Sequence, residues 1–252
     1  MGLGISATAV VLLLVGLSRV LDLYSEDMGS LAAQEEARSA LQRIEEAIRN
    51  SVSPPILVDA SGQPTHSPGP AAGVRFTHIA GGAFAVHNSA GANSSHVRLR
   101  TENFVPRVGD AVEIPTHGLR KIILKVAAEK ATPTVRNLEI EGVLGVELDV
   151  APPSRGDVSI AAYITRSHTL TVENHELRRR PGTRAGVAFD VLARNVESPE
   201  PFRLDRGATT TVAPVLIELS CAPSAGLRTR AWHKVVTLRG SAVARAPWRL
   251  EP

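Results

Sequence analysis

Residues 1–17 read MGLGISATAVVLLLVGL, and residues 18–52 continue as SRVLDLYSEDMGSLAAQEEARSALQRIEEAIRNSV. The first stretch has no charged side chain, whereas the second places apolar residues among charged ones at helical spacing. Together they predict one long N-terminal helix, with a transmembrane half over residues 1–24 and an amphipathic half over residues 25–53. The helix is expected to end at Pro54-Pro55, because proline cannot continue a helix.

The amphipathic half carries an apolar stripe at steps of three and four residues. We expect this stripe to pack on the protein's own β-sheet. Its central members are Ala37, Leu41, Ile44 and Ile48.

Residues 54–252 read as short alternating strands separated by turn residues such as Gly81–Gly82 and Pro152–Asp157. His96–Arg100, for example, alternates polar and apolar side chains, which is typical of a half-buried strand. We therefore predict an α+β fold, in which the long N-terminal helix packs on a mostly antiparallel β-sheet domain.

Charge and cysteine content exclude several kinds of site. The formal net charge is +3 at pH 7, and the 28 lysines and arginines are spread along the chain. Scattered basic residues do not predict a nucleic-acid interface, so we do not expect DNA binding. Cys221 is the single cysteine, which excludes an internal disulfide and a metal site built from cysteines.

No catalytic or metal-binding motif stands out. The sequence has no HExxH pair, no phosphate-binding glycine loop and no GxSxG motif. His78 and His87 could face each other across Gly81–Gly82, but a solvated strand pair explains them more simply. Residues 178–182 read RRRPG and predict a solvated hairpin tip, with DNA or an acidic partner as the alternative. We predict no enzyme activity, no cofactor and no bound metal.

The charge-free run resembles the interior of the N-terminal helix of type IV pilin-like proteins, including the minor pseudopilins of type II secretion systems. Met1–Ile5 is similar to the apolar Val-Met-x-Ala-Leu-Gly-Ile run that follows the family's cleavage site. Residues 32–51, which read AAQEEARSALQRIEEAIRNS, also resemble the amphipathic helix of minor pseudopilins. The resemblance implies that a basic leader and a cleavage glycine lie upstream of Met1, so that the start codon is misplaced. About six more apolar residues would complete a span of the usual length.

The resemblance also implies a role, a location and partners. The chain would be a minor subunit of a pilus or pseudopilus filament in the bacterial inner membrane, with a single pass and its C-terminal domain in the periplasm or in an extracellular filament. Its partners would be other pilin or pseudopilin subunits, the inner-membrane assembly platform, the lipid bilayer and a prepilin peptidase that cleaves and N-methylates it. Small residues along the helix would let neighbouring helices approach closely. The residues expected to pack in the membrane or filament are Leu3, Gly4, Ile5, Val10, Leu13, Leu14, Gly16 and Leu17.

Two other classes of protein remain open at this stage. The first is a membrane-anchored periplasmic β-domain, such as an adhesin or envelope scaffold, with no filament role. The second is an anchored hydrolase, which would need acids and histidines to converge in a cleft. The sequence upstream of Met1 would separate the first class from a pilin.

Overall fold

The computed structural model describes residues 2–65, 69–85, 91–101, 104–128, 135–145, 148, 161–182, 188–205, 213–223 and 235–244; for residues 2–9, 26, 84, 85 and 128 it describes the backbone alone. A single helix, α1, spans Gly2–Arg49 without interruption. It is rich in Ala, Leu, Glu and Arg, which are strong helix formers, and it contains no proline. The helix passes straight through the expected boundary between residues 24 and 25.

Nine strands form one antiparallel sheet in the order β1-β2-β3-β6-β5-β4-β7-β8-β9, and three more form a small sheet in the order β10-β11-β12. The strands of the large sheet are β1 (Ile56–Val58), β2 (Gly73–Ala85), β3 (His96–Thr101), β4 (Ala111–Ile114), β5 (Leu119–Ala128), β6 (Val135–Ile140), β7 (Ala161–Glu173), β8 (Glu176–Pro181) and β9 (Asp190–Ala193). The strands of the small sheet are β10 (Phe202–Leu204), β11 (Val215–Cys221) and β12 (Val236–Ala242).

The large sheet closes on itself, because β2 also pairs with β7 along nearly its whole length, from Gly73 opposite Thr171 to Phe84 opposite Ala161. The other edge of β2 pairs with β1 near its start and with β3 near its end. The other edge of β7 pairs with β4 near its start and with β8 near its end. Strands β2, β3, β6, β5, β4 and β7 therefore form a closed ring of six strands. Strands β1, β8 and β9 extend the sheet beyond this ring.

Strand β2 passes through a bulge between Ile79 and Gly81. A Cβ atom at Gly81 would collide with the ring of Phe104, so the strand can pass this point only with glycine there. The expected turn at Gly81–Gly82 is therefore wrong: the two glycines lie inside a long strand.

The buried apolar residues form two clusters, which we call the ring core and the helix core. All six strands of the ring contribute to the ring core, which includes Val97, Val112, Ile123, Leu138 and Ile164. The helix core lies between the second half of α1, the open part of the large sheet and the small sheet, and it includes Ile44, Ile48, Leu170, Phe202 and Ile217.

The expected α+β, pilin-like fold class is wrong. The described chain after α1 consists of strands and loops apart from one 3-10 turn at Pro115–His117, so the protein is mostly β with one N-terminal helix. The sequence pattern predicts only short strands, whereas β2 and β7 each run for 13 residues. The pairing of these two long strands closes the ring. The helix packs against β12, β11 and β9 at the open side of the molecule.

Within the described residues, no helix is both long enough and apolar enough to cross a membrane.

Candidate functional site

The first half of α1 stands clear of the β-strands. Every described side chain from residue 10 to residue 24 is exposed, including eleven large apolar ones. Such a large exposed apolar surface is typical of an interface, because isolated soluble proteins rarely expose apolar patches of this size.

The residues predicted to pack in a membrane or filament lie in this first half. The described large ones are between 55% and 73% exposed: Val10, Leu13, Leu14 and Leu17. At Gly16, no atom lies within 4 Å of the position that a Cβ would occupy. The side chains of Leu3, Gly4 and Ile5 lie outside the described residues.

The second half of α1 is buried on one face. Three residues of the predicted stripe, Ala37, Ile44 and Ile48, are fully buried, and Leu41 is half-buried against the same helix core. Gly240 of β12 lies directly beneath the helix, since a Cβ there would approach Leu41 Cδ1 to 2.8 Å. The β-strands therefore hold only the second half of the helix and leave the first half exposed.

A polar contact adds to this attachment. The carboxylate of Glu36 on α1 accepts a hydrogen bond of 2.6 Å from the backbone N–H of Arg194, just after β9. The second half of the helix is therefore attached to the β-domain by both apolar packing and a hydrogen bond to the backbone.

A cleft of about 890 Å³ opens where α1 ends and no longer covers the sheet. Its floor is formed by Phe76 and His78 of β2 and by His168 of β7. Its walls include Arg43, Glu46 and Asn50 from the end of the helix, and Arg179 and Asp190 from β8 and β9. A cleft of this size can hold a small molecule.

The floor of the cleft is a stack of three rings. The ring centroids of His78 and His168 are 4.6 Å apart, and those of Phe76 and His168 are 5.9 Å apart. Burial is the main cause that lowers the pKa of His168 to about 4, and charge repulsion from His78 and Arg179 acts in the same direction. Burial, followed by the positive charge of Arg166, also lowers the pKa of His78. Both rings are therefore neutral at pH 7.

The cleft was not found from the sequence. The sequence favours a solvated strand pair for His78 and His87; His87 lies outside the described residues, and His78 stacks on His168. His78 and His168 are 90 positions apart, and only the register of β2 against β7 brings them together. A neutral His pair can bind a metal ion, but the described residues contain no group of three possible metal-binding side chains.

The arginine run lies in a strand, not at a hairpin tip. The tip is a two-residue turn at Asn174 and His175, which have φ values of 50° and 61°. Arg178 contacts Glu176 at 2.8 Å and Glu173 at 3.2 Å, and Arg180 pairs with Glu173 at 2.5 Å. These arginines therefore have acidic partners within the chain.

Cys221 shows no sign of chemical reactivity. Its side chain is buried, and that burial, followed by the negative charge of Glu36, raises its pKa to about 11. Because the thiolate is the reactive form of cysteine, this thiol is inert at neutral pH.

Comparison with known proteins identifies no relative: no family model, no curated protein and no solved structure matches this chain.

Proposed function

We propose that this chain is a structural subunit of an extended filament of the type IV pilus or type II secretion pseudopilus kind, present as a minor subunit at the tip or at initiation. The observation that carries the proposal is the division of α1. Its second half is built into the β-domain, whereas its first half offers apolar side chains that have no packing partner among the described residues. Exposed helices of this kind are buried when several subunits come together.

The proposal rests on the helix and on the sequence resemblance, not on the β-domain. In it, the uncharged residues 1–17 hold the subunit in the inner membrane before assembly and then pass into a bundle of similar helices. The partners are other pilin or pseudopilin subunits, an assembly platform in the inner membrane, and the prepilin peptidase that matures the chain. The β-domain is then exposed on the periplasmic or extracellular side.

A second candidate is a membrane-anchored periplasmic β-domain that acts alone as an adhesin or envelope scaffold. The observation that favours it is the cleft at the end of α1, with its floor of Phe76, His78 and His168. A cleft that binds a small molecule needs no filament, and the exposed half of the helix would then serve only as an anchor.

Mass spectrometry of the mature N-terminus, on native protein from the membrane fraction, tests the proposal. We expect a chain that begins with an N-methylated aromatic residue a few positions before Met1, because prepilin peptidase would produce that end. A chain that begins at an unmodified Met1 would contradict the filament role and leave the anchored β-domain.

A further inference from the structure

The exposed half of α1 carries a second apolar stripe that differs from the one packed on the β-strands. Its members recur at alternating steps of four and three residues over three heptads, and all seven side chains are exposed. We call them the seam: Val10, Leu14, Leu17, Leu21, Tyr24, Met28 and Leu31. Strict alternation of steps of three and four is the pattern of a coiled coil rather than of a helix on a sheet.

The seam and the buried stripe occupy roughly opposite sides of the helix. At 3.6 residues per turn, Met28 and Leu31 point away from the side on which Ala33 is buried and Ala37 packs into the helix core. The β-domain therefore leaves the seam open to a partner, even where the two stripes overlap along the chain.

The charges of this segment avoid the seam. Arg19 and Asp22 lie on the side of the helix opposite the seam, and Asp27 lies beside the seam but not in it. A segment that only crossed lipid would be apolar on all sides, whereas residues 17–31 include charged residues at positions off the seam. This arrangement indicates a helix that faces another helix.

We propose that two copies of this chain associate in parallel and in register through the seam, as a two-stranded coiled coil. The inference rests on the proposed function in that both require the first half of α1 to be an assembly surface. It adds the identity of the partner, a second copy, and the residues of contact.

The charge pattern favours a second copy as the partner. The positions that flank a seam select partners by charge in coiled coils. Here they are uncharged between residues 11 and 25, with Val11, Leu13, Ser18, Val20 and Ser25 in those places, and the one charged residue among the remaining flanking positions is Asp27. No charged partner is needed to match them, and two identical helices bring no like charges together along this stretch.

The area is sufficient for a stable pair. Two copies would bury fourteen seam side chains, each now about half to two-thirds exposed. At the usual area per apolar side chain, this amounts to about 1,000 Å² or more, the least that a specific interface needs. Where the seam lies in the membrane, close packing of the two helices holds the pair, because no apolar surface is removed from water there. A parallel arrangement also puts the two ends that are apolar on all sides, residues 10–15, next to each other.

Cysteine cross-linking of the full-length chain in an excess of detergent micelles tests the pair. The variants are Leu21→Cys and Met28→Cys in the seam, with Leu23→Cys as the matched control. Leu21 and Leu23 are 59% and 62% exposed, but Leu23 points away from the seam. The unmodified chain, in which Cys221 is buried, gives the background.

With copper phenanthroline as the oxidant, we expect Leu21→Cys and Met28→Cys to yield at least tenfold more disulfide-linked dimer than Leu23→Cys. Facing seam positions lie within the Cα separation of about 4.4–6.8 Å that a disulfide requires. Equal yields at residues 21 and 23 would overturn the seam. Dimer from residue 21 without dimer from residue 28 would overturn the parallel register. An N-methylated mature end, together with no cross-linking at either seam position, would leave the filament role standing and remove the pair.

Discussion

The ring core and the helix core reach similar burial by different means. Hydrogen-bonded strands surround the ring core on all sides, so that backbone pairing alone closes it. The helix core is open on one side of the sheet and is closed by the side chains of α1. The second half of the helix is therefore a structural wall of the domain, whereas the first half is free to contact a partner.

Shortening one buried side chain in each core gives the largest expected effect. We expect Ile44→Ala in the helix core and Ile164→Ala in the ring core each to lower the free energy of unfolding by about 2–5 kcal/mol. Both residues are fully buried isoleucines, so the pair is matched in chemistry. Urea denaturation measures the loss.

Hydrogen exchange then separates the two cores. If the helix core opens independently, Ile44→Ala speeds amide exchange in α1, β11 and β12 but leaves β5 and β6 protected. Faster exchange by the same factor in all of these elements would show that the protein opens as one unit and that the division into two cores has no energetic meaning.

The helix and its buried stripe could be read from the sequence, because spacing within one helix is a local property. The stripe of Ala37, Ile44 and Ile48 needs no knowledge of distant residues. The closure of the ring could not be read in this way, because it depends on pairing β2 with β7, about 90 residues away along the chain. A turn at Gly81–Gly82 would divide β2 into two short strands and remove its pairing with β7.

The same limit applies to the cleft. The pairing of Phe76 with His168 follows from the register of two distant strands, and no spacing in the sequence indicates it. The exposed seam was present in the sequence as a heptad pattern. Its exposure, however, could be known only once the opposite side of α1 was seen to hold the β-domain.

A buried ion pair between two strands of the ring offers the next largest effect. Asp110, just before β4 in the ring, accepts two hydrogen bonds of 2.8 Å from Arg166 of β7 and one from the backbone N–H of Arg107. The side chain of Asp110 is 4% exposed and that of Arg166 is 17% exposed. We expect Asp110→Asn to cost about 2–3 kcal/mol, because it leaves a largely buried guanidinium without its counter-charge.

Asp190→Asn is the matched control for this change. Asp190 also pairs with an arginine, Arg179 at 2.7 Å, but both side chains are well exposed. Exposed ion pairs contribute at most about 1 kcal/mol. A loss at Asp190 as large as that at Asp110 would show that burial does not decide the strength of these pairs.

A pH titration examines the cleft at the edge of the helix core. The pKa of His168 is lowered from 6.5 to about 4 in the folded protein, so the unfolded chain binds more protons between these values. The contribution of His168 to the free energy of unfolding is therefore present in full above pH 6.5 and is lost as the pH falls toward 4. We expect a loss of about 1–2 kcal/mol between pH 7 and pH 4.5, since solvent screens a half-buried ring.

The variant His168→Phe keeps an aromatic ring against Phe76 and His78 but cannot bind a proton. It should reduce the fall in unfolding free energy at acid pH, measured by urea denaturation across the range. His96→Phe makes the same replacement at an exposed site on β3 and is the control for the loss of an imidazole ring in itself. If the two variants behave alike, other groups account for the acid sensitivity.

The smallest expected effect concerns the contact between the helix and β12. A Cβ on Gly240 would collide with the carboxylate of Glu45 and approach Leu41 Cδ1 to 2.8 Å, whereas a Cβ on Gly82 of β2 would meet no atom within 4 Å. Both obstructing groups are ends of flexible side chains, so α1 need not move far, and we expect Gly240→Ala to cost about 1 kcal/mol. Gly82→Ala, also in a strand, should be neutral or slightly stabilising, because alanine reduces the entropy of the unfolded chain. Thermal denaturation of both variants measures the difference. If Gly240→Ala proves neutral, the side chains of α1 do not fit tightly on β12. The helix core is then packed less tightly by α1 than the ring core is by its strands.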